Sequence, residues 1–187
     1  MKISTHNTMT KKIQTIAALA GIMVIIFLIN SILLGGSLNS FGIKPRTVDG
    51  LIGILASPFL HANLAHLLNN LVGFSIFSML IMLQGLRYYW RASAVIIVLG
   101  GLGVWLFGRS SVHIGASGWI FGLWALCIAN AWFTRSFKNF VIAAVVIMAW
   151  GGMIFGVLPK NSYISFEAHL MGAIAGIIAA AMFKKRR

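Results

Sequence analysis

Four polar residues in otherwise apolar surroundings carry the chemistry of a catalytic site. Ser117 offers a hydroxyl nucleophile, and His169 offers an imidazole, a group whose usual pKa of ~6.5 suits a general base near neutral pH. His66 and Asn70 offer N–H donors for the negative oxygen of a tetrahedral intermediate, as does the backbone N–H of Ser117. Together these groups predict attack of a serine on a carbonyl carbon.

The residues around Ser117 favour a nucleophile. Gly115 and Gly118 flank it in the run Gly-Ala-Ser-Gly, and glycine lets the backbone turn sharply and a substrate chain come close. The serine is predicted to open a helix, so free N–H groups and the positive end of the helix dipole lie beside it. The alternative is that Ser117 only caps this helix, which is common at helix starts.

Each histidine also has a structural alternative. Asn70 follows His66 by four residues and shares its helix face, but such pairs also join helices by hydrogen bonds. Gly172 and Gly176 share the face of His169 and allow close contact with a matching glycine pair, Gly118 and Gly122, on the helix of Ser117. His169 alone would therefore be read as a packed core histidine. The combination of all these residues favours catalysis.

No carboxylate is predicted to orient His169. Asp49 lies in a loop, and Glu167 is two positions away on a different helix face. The sequence therefore predicts a Ser117–His169 dyad and not a triad.

Membrane helices must position these residues. The 187-residue chain is 59% hydrophobic and only 9% charged, against about 25% charged in soluble domains. Apolar segments near the ~20 residues that cross a bilayer predict an all-α membrane protein, a bundle of six transmembrane helices in one domain. The predicted spans, numbered 1 to 6, are residues 13–34, 64–83, 92–108, 116–133, 140–158 and 164–183, which make a domain of residues 13–183 between tails at 1–12 and 184–187.

Basic residues predict the direction of the spans. With the N terminus in the cytoplasm, only Lys44, Arg46, Arg109 and Lys160 of the fifteen Lys and Arg lie outside, as the positive-inside rule requires. Both termini are then cytoplasmic, and the net charge of +13 reflects topology and predicts no nucleic-acid partner. Spans 2, 4 and 6 start at the outer face with their polar residues in the first turns. These residues are therefore expected at a common depth.

The longest connection, residues 35–63, is predicted to lie outside. Its apolar residues, such as Leu51 and Ile54, belong either to an interfacial helix or to a loop packed on the bundle. Pro58 is predicted to end any helix there, with extended backbone at the residue before it.

Four short sequences follow one another between about residues 41 and 183: GIKPR, PFLHANLAHLLNN, GASGWIFGL and AHLMGAIAG. In composition and in order, they resemble the motifs of the rhomboid intramembrane proteases. The resemblance implies a serine endopeptidase that cuts transmembrane or juxtamembrane segments of other membrane proteins, without a cofactor or metal. It implies Ser117 as nucleophile, His169 as base, and His66 with Asn70 as oxyanion hole. It further implies a bacterial inner membrane, and it leaves the oligomeric state open.

Two positions depart from the family pattern. The first outer loop lacks a Trp-Arg pair that many relatives have, and Phe121 stands where some relatives have Tyr. Phe121 can pack against the His169 ring but cannot donate a hydrogen bond. His61 and His113 also lie near the outer face, where we expect packing or solvation, and no catalytic role beyond a contribution to the shape of the site.

A substrate is predicted to reach the site only after its own helix unwinds and after part of the bundle moves aside as a gate. A spanning helix satisfies its own carbonyls, so cleavage is expected near small or helix-breaking residues. Trp150, Gly151, Gly152 and Phe155 combine bulky side chains with a loose backbone, so span 5 is predicted to be the gate.

Three other functions fit parts of the sequence. A transporter would need polar residues through the whole membrane depth, and here they concentrate in the outer half. A haem-binding electron carrier with His66 and His169 as axial ligands leaves Ser117 and Asn70 unexplained. A rhomboid-like binding protein without catalysis usually lacks the serine or the histidine. Because Cys127 is the single cysteine, no thiolate metal cluster is expected.

Overall fold

The computed structural model describes residues 2–159 and 165–184, with side chains from residue 8 onward. Its α-helices are α1 (Lys2–Leu28), α2 (Gly53–Ala56), α3 (Leu64–Met82), α4 (Leu86–Phe107), α5 (Ser117–Thr134), α6 (Phe137–Trp150) and α7 (Phe166–Met182). A π-helical turn covers Ile29–Leu33, and 3₁₀ turns cover Ser37–Phe41, Asp49–Leu51, Ser57–Phe59 and Gly151–Val157. Within these residues the strand-like pairing is one isolated bridge, between Ile43 and His113. Lys160, residue 164 at the predicted start of span 6, and 185–187 of the predicted tail lie outside the described residues.

The fold is a helical membrane bundle, as predicted. Among the described residues, five helical segments are long and apolar enough to cross a membrane: Thr8–Leu33, Leu64–Met82, Leu86–Phe107, Ser117–Thr134 and Phe137–Val157. The predicted sixth span corresponds to α7, whose 17 residues lie at the lower end of the about 17–25 that suffice.

Two spans differ from their predicted form. The first helix begins at Lys2, eleven residues before the predicted start of span 1 at Ile13. The α-helix of span 5 ends at Trp150 and continues as a 3₁₀ turn through Gly151–Val157. Adjacent glycines at 151 and 152 account for this change, since glycine is a poor α-helix former.

The connection between α1 and α3 packs on the bundle and forms no long interfacial helix. Ile54 is 9% exposed, and a Cβ placed on Gly101 of α4 would lie 2.7 Å from its Cγ2 atom. Leu55, next in sequence, is 64% exposed. The prediction for the residue before Pro58 was wrong, because Ser57 is helical (φ −53°, ψ −36°). Pro58 lies in the first turn of a 3₁₀ helix. The N–H groups of a first turn have no partner within the helix, so the missing N–H of proline costs no hydrogen bond there.

Helix α5 lies at the centre of the bundle and packs most closely on α7. A Cβ built on Gly172 would overlap the carbonyl oxygen of Gly118, and one on Gly176 would overlap that of Gly122. Small residues at such a crossing let two backbones approach closely. The predicted pairing of these glycines is confirmed, and it brings together the starts of the two helices that carry Ser117 and His169.

Candidate active site

Ser117 is the first residue of α5 and does not cap it. The N-cap is Ala116, and no side chain makes a capping hydrogen bond there. Gly115 has φ +113°, a conformation that disfavours any residue with a Cβ. Its N–H donates to the carbonyl of Ser57 at 2.9 Å. A fixed turn therefore presents the serine beside the free N–H groups of the helix start.

Gly115 also brings the start of α5 against α3. A Cβ added to Gly115 would lie 2.5 Å from His66 Nε2 and 3.7 Å from Asn70 Nδ2. Asn70 is 4% exposed, and its Nδ2 donates to the His66 carbonyl at 2.9 Å, which leaves a second amide N–H. The side chain of Asn63 caps α3 by accepting from the His66 N–H at 2.9 Å. The two predicted oxyanion donors therefore border the nucleophile loop.

The His169 ring is held on two sides. It stacks on Phe121 with ring centroids 4.0 Å apart and planes 5° apart, as the sequence suggested for this phenylalanine. Its Nδ1 lies 2.9 Å from the Gly156 carbonyl oxygen. Because a carbonyl only accepts, Nδ1 carries a proton, and in the neutral ring Nε2 is therefore the unprotonated nitrogen. That tautomer is the one a general base needs.

One cavity of about 740 Å³ contains all four groups. Its walls include Ser117, His169, His66 and Asn70. Within the described residues no direct hydrogen bond joins the Ser117 hydroxyl to His169. Such bonds are often long in structures without substrate and shorten in the reacting complex.

The cavity reaches sideways between α3 and the end of α6. Val72, Gly73 and Phe77 line it on α3, and Trp150 and Met153 line it opposite. Phe155 of the predicted gate is 60% exposed and is not among the lining residues.

Sequence reasoning missed several polar groups at the site. Asn69 lines the cavity beside Asn70. The Gly156 carbonyl carries no sequence signal, because every residue has a carbonyl. Glu167 does not face His169, as predicted, but it pairs with Arg109. The sequence does hold one signal for this pair. Glu167 is a carboxylate in an apolar helix, and ionisable residues in membrane segments are costly, so a charged partner could have been expected.

His61 and His113 lie close to the site in different surroundings. His61 is 1% exposed, and its ring meets that of His66 edge to face, with centroids 5.1 Å apart. Burial lowers the pKa of His61 to about 4; nearby His66 adds to the shift, and the Phe59 backbone opposes it. His113 is 3% exposed and hydrogen-bonds with Ser165 and Arg109. Both are packed residues, as expected.

The fold and the cavity define a polytopic α-helical membrane protein with a polar site at one end of its bundle. The family model of the Rhomboid domain matches residues 49–186. An uncharacterised protein of Mycobacterium tuberculosis is 39% identical over 175 residues, which cover 89% of this chain and 72% of the relative. A rhomboid protein of Acanthamoeba polyphaga mimivirus is 27% identical over 168 residues, which cover 85% of this chain and 88% of the relative. The chain belongs to the rhomboid family.

Proposed function

We propose that this protein is an intramembrane serine endopeptidase that cuts transmembrane or juxtamembrane segments of other membrane proteins. The observation that carries the proposal is the single cavity that Ser117, His169, His66 and Asn70 line together. Family membership supports it, because rhomboid proteins are generally intramembrane serine proteases. The bias of basic residues supports an orientation with both termini in the cytoplasm. The minimal six-helix form and the distribution of the family support a bacterial inner membrane.

In the proposed reaction the Ser117 hydroxyl oxygen attacks the carbonyl carbon of an unwound substrate segment. Nε2 of His169 accepts the hydroxyl proton, while Nδ1 keeps its bond to the Gly156 carbonyl. Donors from the Ser117 backbone, Asn70 and His66 hold the negative oxygen, and each is worth about 3 kcal/mol in such sites. His169 then gives the proton to the leaving amine as the C–N bond breaks, and water hydrolyses the acyl-enzyme.

The test is cleavage of a reporter transmembrane substrate in liposomes. We expect wild type to cut, and Ser117→Ala and His169→Ala to lose at least about 10³-fold in kcat/KM, since each removes one half of the dyad. Ser75→Ala is the matched control, because the Ser75 hydroxyl donates to the Leu71 carbonyl of its own helix at 2.7 Å and Ser75 is not among the residues that line the cavity; this variant should keep most of the activity. Cleavage by Ser117→Ala at the wild-type rate would refute the assignment.

One observation favours a second function, a rhomboid-like protein that binds membrane segments without cutting them. The Ser117 hydroxyl and the His169 ring share a cavity but make no hydrogen bond with each other. In this case wild type and Ser117→Ala would both leave every reporter intact, yet a photo-crosslinking membrane segment would label residues that line the cavity.

A further inference from the structure

A bidentate ion pair lies at the start of α7, beside the cavity. Glu167, one of two acidic residues in the chain, is 4% exposed. One of its oxygens pairs with Nε of Arg109 and also accepts from the Arg109 backbone N–H at 3.3 Å; the other accepts from Nη2 at 3.2 Å. The Arg109 guanidinium also lies over the Phe166 ring, 5.1 Å from its centroid. Such forked pairing fixes geometry as well as charge.

A second connection runs alongside the ion pair. His113 Nε2 lies 3.0 Å from the Arg109 carbonyl oxygen, so this nitrogen carries the proton. His113 Nδ1 then accepts from the Ser165 hydroxyl at 2.6 Å. The same hydroxyl oxygen accepts from the Ala168 N–H at 3.2 Å and so caps α7. A directed chain of hydrogen bonds therefore runs from the first turn of α7 to Arg109.

The two connections join the segments that carry Ser117 and His169. Arg109 and His113 lie in the loop that leads from α4 into Ser117, and Ser165 and Glu167 come two to four residues before His169. The backbone of His113 is also paired with Ile43, by two bonds of 2.9 Å. The two connections therefore fix the start of α5 relative to the start of α7 through residues other than Ser117 and His169.

We propose that Arg109, His113, Ser165 and Glu167, here called the clamp, position Ser117 and His169 for reaction. The proposal rests on the proposed function. Arg109, His113 and Ser165 line the cavity, but Glu167 does not, so Glu167 acts through the placement of other groups and is the member tested first. The Arg109 side chain is 43% exposed and that of Glu167 is 6% exposed. Such an ion pair adds little net stability, because solvent screening and desolvation offset its attraction, and geometry is the benefit that remains. A displacement of about 1 Å between reacting groups costs up to ~10²-fold in rate.

The first test is the rate at which a small fluorophosphonate labels Ser117 in the full-length protein. In this reaction the serine oxygen bonds to phosphorus, the P–F bond breaks, fluoride leaves, and His169 takes the serine proton. The reagent needs the dyad but not the binding of a long substrate. We expect Glu167→Gln to label 10- to 100-fold more slowly and kcat on the reporter to fall equally, with KM within about threefold.

Two comparisons separate positioning from general destabilisation. Lys138→Gln also replaces a charged side chain by glutamine, at the other end of the bundle, where Lys138 Nζ donates to the Leu83 carbonyl at 2.7 Å, and it should label at the wild-type rate. Arg109→Gln combined with Glu167→Gln should be no slower than the slower single variant, because both changes break one unit. If Glu167→Gln unfolds, Ser165→Ala interrupts the second connection and should slow labelling in the same direction.

The outcomes test the clamp separately from the proposed protease activity. If wild type is labelled, Ser117→Ala is not, and folded Glu167→Gln labels at the wild-type rate, the clamp is refuted and the protease stands. If wild type neither labels nor cuts, the proposed function fails and the clamp fails with it. A rise in KM at constant kcat would also refute positioning, because it would indicate direct substrate contact.

Discussion

At the scale of single residues, a backbone carbonyl occupies the position beside the histidine Nδ1 that an acidic side chain occupies in a triad. The Gly156 carbonyl accepts from His169 Nδ1 at 2.9 Å and fixes the tautomer. It carries no full charge, so it stabilises an imidazolium less than a carboxylate would. Stacking on Phe121 fixes the plane of the ring instead. Orientation is thus supplied by packing and by a backbone dipole.

The buried imidazole of His61 is expected to make folding stability depend on pH. No ring nitrogen of His61 makes a hydrogen bond of good geometry within the described residues, and its pKa is lowered to about 4. In the unfolded chain the group titrates near ~6.5. The stability that the neutral ring contributes is therefore fully present above about pH 6.5 and is lost as the pH falls toward 4, because only the unfolded state takes up a proton.

We predict that His61→Phe weakens this acid sensitivity. Between pH 7.5 and 4.5 the wild type should lose on the order of 3 kcal/mol through His61, seen as a fall in the thermal midpoint in detergent. The variant should lose less, because phenylalanine keeps the edge contact with His66 and does not titrate. The other histidines are the same in both proteins. Equal losses in the two proteins would contradict the assignment to His61.

At the scale of elements, glycine pairs decide how near Ser117 and His169 can come. The α5–α7 crossing has no room for a methyl group at Gly172, whereas Gly21 of α1 has no neighbour within 4 Å. The same substitution should therefore have opposite effects at the two positions.

We predict that Gly172→Ala destabilises the protein by about 1–3 kcal/mol, the usual cost of overpacking. The thermal midpoint should fall, and activity should fall with it, because the two helix starts would separate. Gly21→Ala, the matched control, should leave the midpoint unchanged or raise it, since alanine favours helix by up to about 1 kcal/mol. An equal fall in both variants would indicate a general intolerance of alanine.

The sequence predicts these elements well because length and hydropathy mark a membrane helix locally. The glycine spacing on α5 and α7 even predicts which faces meet. Contacts between distant segments leave no such local mark, and so the ion pair of Arg109 with Glu167 and the Gly156 carbonyl at His169 were not predicted. The helical backbone at Ser57 was missed because the preference before proline is weak, and packing of this loop on the bundle overrides it.

At the scale of the whole molecule, the cavity is polar at the end where α3, α5 and α7 begin and becomes apolar along its lateral side. Membrane segments keep their carbonyls satisfied within the helix, so in the proposed reaction a substrate would have to unwind before it could reach Ser117. An aromatic contact spans this lateral side between α3 and the end of α6. Trp150 meets Phe77 edge to face, with centroids 5.8 Å apart and planes at 71°.

We predict that this contact limits access, so that Trp150→Ala cuts a membrane-embedded reporter several-fold faster than wild type. Removing the indole loses an aromatic pair worth about 1 kcal/mol, and the glycines that follow it let the segment move aside. A short water-soluble peptide, which needs no lateral opening, should be cut at the wild-type rate. Trp132→Ala is the matched control, since Trp132 is 76% exposed on the surface of α5 and should change neither rate. If both reporters were cut faster, Trp150 would be acting on the chemical step, and the gate predicted for span 5 would have to lie elsewhere in Gly151–Val157.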